Sequence, residues 1–210
     1  MCGLTGTWHF IATDTHALES VTRRMTAALA HRGPDDSGIW TNSHHGVSLG
    51  HRRLAVVDLS AAGHQPMVSA SGRFTLAFNG EIYNHAELRL ELGRRMGVQW
   101  RGHSDTETLL AGFEHWGIDQ TLQRTVGMFA FAVWDADLQS MHLARDRFGE
   151  KPLYYGWTDN AFIFGSELKA LREHPNFMAR VSRRALGEYL RLAYVPAPYA
   201  IYEGVFKLEP

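Results

Sequence analysis

Residues 127–146 read GMFAFAVWDADLQSMHLARD, and their pattern decides the fold class. An apolar run, GMFAFAVW, is followed by a turn at Asp135–Asp137 and then by a second segment, SMHLARD. Aspartates that separate two short runs of this kind are typical of an antiparallel hairpin. Because the apolar run does not alternate with polar residues, we expect both faces of this region to be buried.

Segments on both sides of this hairpin also have strand character. They are GIWT (38–41), VSLGHRRLAVVD (47–58) and RFTLAFNG (73–80) before it, and PLYYGW (152–157) and AFIFGSE (161–167) after it. In RFTLAFNG, alternation places Phe74, Leu76 and Phe78 on one face. We expect this strand to end at Phe78, where Asn79 and Gly80 turn the chain.

Apolar residues at helical spacing predict helices between and around the strands. The stripes are Leu18, Val21, Met25, Ala28 and Leu29, ending before Gly33 and Pro34; Leu88, Leu92 and Met96, ending near Gly97; Leu109, Phe113 and Trp116, after a capping box of Ser104 and Glu107; and Leu186, Tyr189, Leu190 and Ala193, capped by Ser182. Two runs of strands with helices between them predict an α+β protein, in which antiparallel sheets pack together under helices.

Composition excludes several classes of function. The 210 residues carry a formal net charge of -1, which gives no general attraction for nucleic acid or an anionic membrane. No signal peptide pattern and no membrane-spanning run are visible, so we expect a cytoplasmic protein. A single cysteine excludes an internal disulfide and agrees with a reducing compartment.

That cysteine, Cys2, directly follows the initiator methionine, and two interpretations are open. It is either a small buried hydrophobe or, once Met1 is removed, a nucleophile beside its own α-amino group. An α-amine has a reference pKa of about 7.7–8.0, so it can accept the thiol proton near neutral pH. The 12 histidines lack the spacing of a metal site, and we expect no metal and no cofactor in this chain.

Five further residues permit both a structural and a functional interpretation. Asn79 with Gly80 forms either a plain turn or a pair of donors for an oxyanion. Arg53 either faces solvent, which is the default, or pairs with a carboxylate. Glu81 and Asp105 are either an exposed turn residue and a first-turn helix acid or, with Arg53, ligands for the charged groups of a free amino acid.

The order of motifs resembles the glutaminase domain of glutamine-dependent asparagine synthetases over Cys2 to Pro210. The motifs are MCGLTG, HRGPDDSG, GHRRLAVVDLS, GHQPM, FNGEIYNH, HSDTETLL, GMFAFAVWD, ARDRFGEKPLYY and FGSELKAL. The resemblance implies a class II glutamine amidotransferase with the N-terminal nucleophile hydrolase fold, in which two antiparallel sheets are sandwiched between helical layers.

The resemblance also implies roles for individual residues. Cys2 corresponds to the nucleophile, and Asn79 and Gly80 to the oxyanion hole. Arg53 corresponds to the ligand of the glutamine α-carboxylate. Glu81 and Asp105 correspond to contacts of the α-amino group. Leu54 and Val56 are expected to supply pocket wall and backbone contacts, and Arg32 a structural contact.

The implied reaction is hydrolysis of L-glutamine to glutamate and ammonia through a Cys2 thioester. We expect residues 2–180 to form the glutaminase domain and residues 181–210 to begin the connection to an ATP- and Mg-dependent synthetase domain that makes asparagine from aspartate. No Ser-Gly-Gly pyrophosphate loop occurs in the chain. The alternatives are an amidotransferase half with another acceptor and a catalytically silent glutamine-binding or interaction module; a homodimer is also open.

Overall fold

The computed structural model describes residues 1–11 and 13–210, and it leaves out the side chains of Arg95 and Met96. Within the described residues the strands are β1 Gly3–His9, β2 Asp36–Asn42, β3 Val47–Arg53, β4 Met67–Val68, β5 Phe74–Ile82, β6 Gly127–Asp135, β7 Ser140–Arg145, β8 Tyr154–Trp157, β9 Ala161–Gly165 and β10 Val205–Lys207. The helices are α1 Thr15–Ala27, α2 His85–Met96, α3 Asp105–Trp116, α4 Ile118–Arg124, α5 Leu168–Arg172 and α6 Arg183–Leu192.

The strands form two sheets with antiparallel pairing throughout. One has the order β10-β8-β9-β1-β3-β2 and the other β4-β5-β6-β7. The predicted hairpin is confirmed as β6 and β7, with Asp135 paired to Ser140. Its turn extends to Gln139, which has a positive φ of 49°.

Three apolar clusters define the layers. Between the sheets, Leu4, Leu49 and Phe164 meet Ala77, Ala130 and Ala132 of the four-stranded sheet. The outer face of that sheet packs Phe74, Leu76 and Phe78, as predicted, against Leu109 and Phe113 of α3. The other sheet packs Ile163 against Met25 of α1 and Leu171 of α5. The order of layers is therefore helix, sheet, sheet, helix.

The four predicted helices are present, and their ends show local chemistry. Gly97 terminates α2 in the left-handed conformation, with φ of 67°. The side chain of Ser182 caps α6, and that of Ser104 accepts a hydrogen bond from Glu107 N at 3.2 Å. Only half of the predicted capping box forms, because the Glu107 carboxylate accepts from Arg101 N and Gly102 N instead. The predicted position of Met96 on the α2 stripe lies outside the described side chains.

Two local predictions are wrong. Asn79 and Gly80 do not turn the chain, because β5 continues to Ile82 with both residues paired to β6. The strand predicted over residues 47–58 ends at Arg53. The predicted helix α6 is present, and Leu186, Tyr189 and Leu190 of its apolar stripe are between 42% and 76% exposed.

Two features bear on predictions about the whole chain. After residue 180, β10 returns to pair with β8 at the edge of the six-stranded sheet; the domain boundary at 180 stays a prediction. None of the helices described combines the length and the apolar character that a membrane crossing requires.

Candidate active site

All eight residues predicted to act in catalysis or substrate binding line one cleft of about 160 Å³: Cys2, Arg53, Leu54, Val56, Asn79, Gly80, Glu81 and Asp105. The fold explains why they meet. Gly3 of β1 pairs with Arg52 of β3, so Cys2 and Arg53 lie together at one end of these strands. Glu81 near the end of β5, and Asp105 at the start of α3, close the cleft from the other sheet and its helix layer.

Cys2 is partly buried and held from both sides. Its Sγ lies 3.4 Å from Leu54 N, which donates to it, and 3.6 Å from Leu54 O. Arg32 Nε donates to Cys2 O at 2.8 Å, while Arg32 Nη1 pairs with Glu167 at 2.9 Å. Burial raises the pKa of the Cys2 thiol, and the Leu54 hydrogen bond and nearby positive charges offset part of that rise. The thiol therefore requires a base nearby to become a nucleophile.

Arg53 is only 8% exposed, so the expected default of a solvent-facing arginine is wrong. Within residues 1–11 and 13–210, Arg53 forms no ion pair with a carboxylate. The guanidinium instead donates to the carbonyl oxygens of Ser60, at 3.0 Å, and of Asp58. Gly63 permits this packing, because a Cβ there would collide with Arg53 Nη2. The cation is thus fixed by backbone carbonyls and keeps its charge available to a ligand.

Asn79 presents a buried donor without a partner. The residue is 1% exposed, and its Nδ2 makes no hydrogen bond within the described residues. A buried unsatisfied donor is costly and rare in a native structure, and it indicates either strain or a role toward a ligand. Asn79 lines the cleft, so a ligand oxygen there would satisfy it.

The N–H of Gly80 lies on the free edge of β5. Alternate residues of this strand direct their N–H groups away from β6. Phe78 N donates to Gln65 Oε1 at 2.7 Å, and Ile82 N donates to Asp105 Oδ2 at 3.0 Å. The Gly80 N–H lies between these two, and the described part of the chain provides no acceptor for it. An added Cβ at Gly80 would collide with Met128 O, so the glycine serves close strand packing here.

The two predicted acids differ in setting. Asp105 is 5% exposed and accepts from Ile82 N and from Thr106 N, the latter at 2.9 Å. Burial raises the pKa of Asp105, and these hydrogen bonds oppose the rise. Glu81 is half-buried. A carboxylate has about four acceptor positions, so Asp105 retains capacity for a ligand ammonium group.

Sequence reasoning missed several residues of the cleft. Gln65 bridges Phe78 N and Thr106 Oγ1, and the GHQPM motif was its only signal. Asp58 accepts hydrogen bonds from Ser60 and His103, which lower its pKa to about 2. Lys151 lines the cleft from the segment after β7, and only its place in the ARDRFGEKPLYY motif pointed to it. No cluster of three potential metal ligands occurs in the parts of the chain described.

Comparison with known proteins bears on this arrangement. A family model described as a glutamine amidotransferase domain matches residues 1–210. Asparagine synthetase [glutamine-hydrolyzing] 3 of Bacillus subtilis (strain 168) is 42% identical over 213 residues, covering 100% of this chain and 34% of the relative. The putative asparagine synthetase [glutamine-hydrolyzing] of Mycobacterium tuberculosis (strain H37Rv) is 39% identical over 226 residues, with the same coverage. The chain thus spans about a third of the length of these curated relatives.

Among solved structures, the chain is similar to glutamine phosphoribosylpyrophosphate (PRPP) amidotransferase from B. subtilis complexed with ADP and GMP. The TM-score is 0.68 at 23% identity, over 81% of this chain and 43% of that one. This likeness shows the fold and confirms the expected N-terminal nucleophile hydrolase fold, with two sheets between helical layers. With the family model matching the whole chain, the protein belongs to the glutamine amidotransferase domain family.

Proposed function

We propose that this chain hydrolyses the side-chain amide of L-glutamine and, within a longer protein, supplies the ammonia for ATP-dependent synthesis of asparagine from aspartate. One observation carries the proposal most directly. The Cys2 thiol, the unpaired Asn79 amide and the free Gly80 N–H line the same cleft. A nucleophile facing two unpaired donors is the arrangement that acyl transfer requires.

The reaction requires that Met1 has already been removed, because Cys2 N is otherwise an amide nitrogen and cannot accept a proton. The free α-amine takes the thiol proton, and the thiolate attacks the side-chain carbonyl carbon of glutamine. Asn79 Nδ2 and Gly80 N donate to the resulting oxyanion. The α-ammonium then protonates the leaving nitrogen, ammonia departs, and a γ-glutamyl thioester remains. Water, deprotonated by the same amine, releases glutamate and restores the thiol.

Charges in the cleft account for recognition of a free amino acid. Arg53 offers its remaining N–H groups to the α-carboxylate, and Glu81 and Asp105 offer carboxylate oxygens to the α-ammonium. A substrate that lacked either group would leave a buried charge unpaired, which disfavours it strongly. Leu54 and Val56 form the wall of the cleft.

The asparagine-forming step belongs to sequence outside this chain. The names of the relatives, and the fact that this chain spans about a third of their length, support a synthetase domain that uses ATP and Mg and receives the ammonia. Ammonia that escaped to water would be protonated and would lose its nucleophilicity, so the two sites must communicate internally. We place this protein in the cytoplasm, in agreement with its single cysteine; formation of a homodimer stays a prediction.

The experiment compares the chain with Met1 removed, verified by intact mass, with a form whose N-terminus is blocked by an uncleaved extension. We expect glutamate release from glutamine only in the processed form. Cys2→Ala should abolish release, and Asn79→Ala should lower kcat by about 10²–10³-fold. Because Asn79 Nδ2 has no protein partner within the described chain, the thermal midpoint of Asn79→Ala should stay close to that of the wild type.

Two results would contradict the proposal. Equal rates with and without a blocked N-terminus would exclude the α-amine as base. A processed wild type as inactive as Cys2→Ala would exclude autonomous glutaminase activity, and calorimetric titration with glutamine would then identify a binding module.

A further inference from the structure

Lys151 is a buried cation to which the proposed reaction assigns no role. It is 7% exposed and lines the same cleft as Cys2. Its Nζ lies 3.7 Å from Met1 Sδ, and no carboxylate of the described residues forms an ion pair with it. Burying an ammonium group without a carboxylate partner is unfavourable, so the position of Lys151 needs a physical explanation.

The backbone around Lys151 is built to hold it there. Asp146 accepts hydrogen bonds from the N–H groups of Phe148, Glu150 and Lys151, at 3.0, 3.0 and 3.3 Å. The Arg145 guanidinium donates to the carbonyl oxygens of Gly149, Lys151 and Leu208. Both the N–H and the C=O of Lys151 are therefore fixed by charged side chains. These hydrogen bonds to Asp146 and Arg145 therefore fix the backbone position of Lys151.

Removal of Met1 changes what the ammonium group faces. The contact of Lys151 is with the side chain of the residue that processing removes, and the next residue is Cys2. After processing, the positive charge of Lys151 remains in the cleft that Cys2, with its new amino terminus, also lines. Two like charges in a poorly solvated cleft repel each other, so the neutral form of the amine is favoured.

We propose that, in the processed chain, Lys151 keeps the Cys2 amino group neutral and the thiol easier to ionise near neutral pH. This inference rests on the proposed glutaminase function. Lys151 acts through Cys2 and is a positioning residue, since it is not assigned a contact with glutamine. It provides the base in its proton-accepting form before substrate arrives.

Of the other charged groups around Cys2, Arg53 acts in the same direction, since its positive charge lowers the pKa of the Cys2 thiol. Arg53 is assigned to the substrate α-carboxylate, however, and Arg32 forms an ion pair with Glu167. The carboxylates of Asp58, Glu81 and Asp105 line the cleft and favour a protonated amine. Lys151 also opposes these three acids, and it is the cation of the cleft to which no substrate group is assigned.

The test uses Lys151→Met, which keeps an unbranched side chain one atom shorter and removes its charge, with Lys151→Arg as the charge-retaining control. Cys2 is the single cysteine, so iodoacetamide alkylation reports its ionisation alone. In the processed chain, we expect Lys151→Met to move the pH midpoint of alkylation upward by about one pH unit. The acid limb of kcat/KM for glutamine should move by the same amount, and Lys151→Arg should match the wild type.

Two outcomes would overturn the inference. Alkylation midpoints that coincide in all three proteins would show that the charge does not reach Cys2. A rise in KM at every pH with an unmoved acid limb would make Lys151 a substrate ligand. If Lys151→Met does not fold, as judged by near-ultraviolet circular dichroism, Lys151→Gln replaces it. Alkylation needs no turnover, so failure of the glutaminase proposal is seen separately, as absence of glutamate release in the wild type.

Discussion

His51 shows how one residue can make the fold sensitive to pH. It is fully buried on β3, and its Nε2–H donates across the two sheets to Phe78 O at 2.9 Å. Its Nδ1 has no partner in the described residues. Burial lowers the pKa of His51 to about 4, because a charged imidazolium there would lose its hydration.

We expect the free energy of unfolding to decrease as the pH falls from about 6.5 toward 4. Over that range the unfolded chain binds a proton at His51 and the folded chain does not, which favours the unfolded chain. Above about pH 6.5 neither state binds this proton, so His51 no longer lowers the free energy of unfolding. Between pH 7 and pH 5 this linkage amounts to about 2 kcal/mol. Urea denaturation at both pH values should show that His51→Gln loses this part of the pH dependence.

The matched control is His16→Gln, because His16 is exposed on α1 and should leave the pH dependence unchanged. His174 is also buried, and burial lowers its pKa to about 4, so some dependence remains in His51→Gln. Identical pH dependence of the wild type and His51→Gln would contradict the assignment.

Individual residues also show what the sequence can and cannot predict. Cys2, Asn79, Gly80, Glu81 and Asp105 could be singled out from the sequence because they occur in specific motifs, and the structure places all five in one cleft. Burial was not predictable, since Arg53 and Lys151 become buried through contacts made with distant backbone carbonyls and with the N-terminus. Local sequence carries no signal for such contacts.

At the level of elements, the start of α3 fixes part of the cleft. Ser104 caps the helix, and Asp105 in its first turn binds Ile82 N at the end of β5. The Glu107 carboxylate ties the preceding segment through Arg101 N and Gly102 N. The acid expected to bind the substrate ammonium is therefore positioned by the capping of its helix.

Ser104→Ala should destabilise the protein by about 1 kcal/mol, the usual effect of losing an N-cap side chain. It should also raise KM for glutamine, because fraying of the first turn displaces Asp105. Ser182→Ala is the matched variant: it removes the cap of α6, which contributes no residue to the cleft as described. Denaturant unfolding and glutamine kinetics of both variants test this, and an equal rise in KM in both would contradict it.

The elements themselves were predictable where periodicity was long, and their ends were not. The apolar stripes predicted α1, α2 and α3 correctly because each of these helices also has a capping residue or a terminating glycine. Asn79 and Gly80 resemble a turn in the sequence, but pairing with Ala130 and Phe129 keeps β5 extended to Ile82. Strand pairing between distant segments outweighed the local turn preference.

At the level of the whole molecule, the site depends on how closely the two sheets approach. Cys2 and Arg53 come with β1 and β3 of one sheet, and Asn79 and Gly80 with β5 of the other. The sheet order places β1 between β3 and β9, which are more than 100 residues apart, and no local pattern could predict that pairing. Alanines on the inner face of the four-stranded sheet permit the close packing.

Ala132 is the position at which this packing can be tested. It is fully buried between the sheets, opposite Ala77 in the strand register. Ala132→Leu should destabilise the fold by about 1–3 kcal/mol, since the added carbons must force the sheets apart. Glutaminase activity should fall further than stability alone explains, because separating the sheets moves the Cys2 thiol away from the Asn79 and Gly80 donors.

The comparison is with Ala86→Leu, an identical change at an exposed position of α2, where we expect a stability change within about 0.5 kcal/mol and unaltered kcat. Urea unfolding gives the stability of each variant, and kcat is measured at a temperature where both are fully folded. If Ala132→Leu is folded, destabilised and yet as active as Ala86→Leu, the donors move together with the thiol. In that case the spacing of the two sheets does not set the geometry of the reaction.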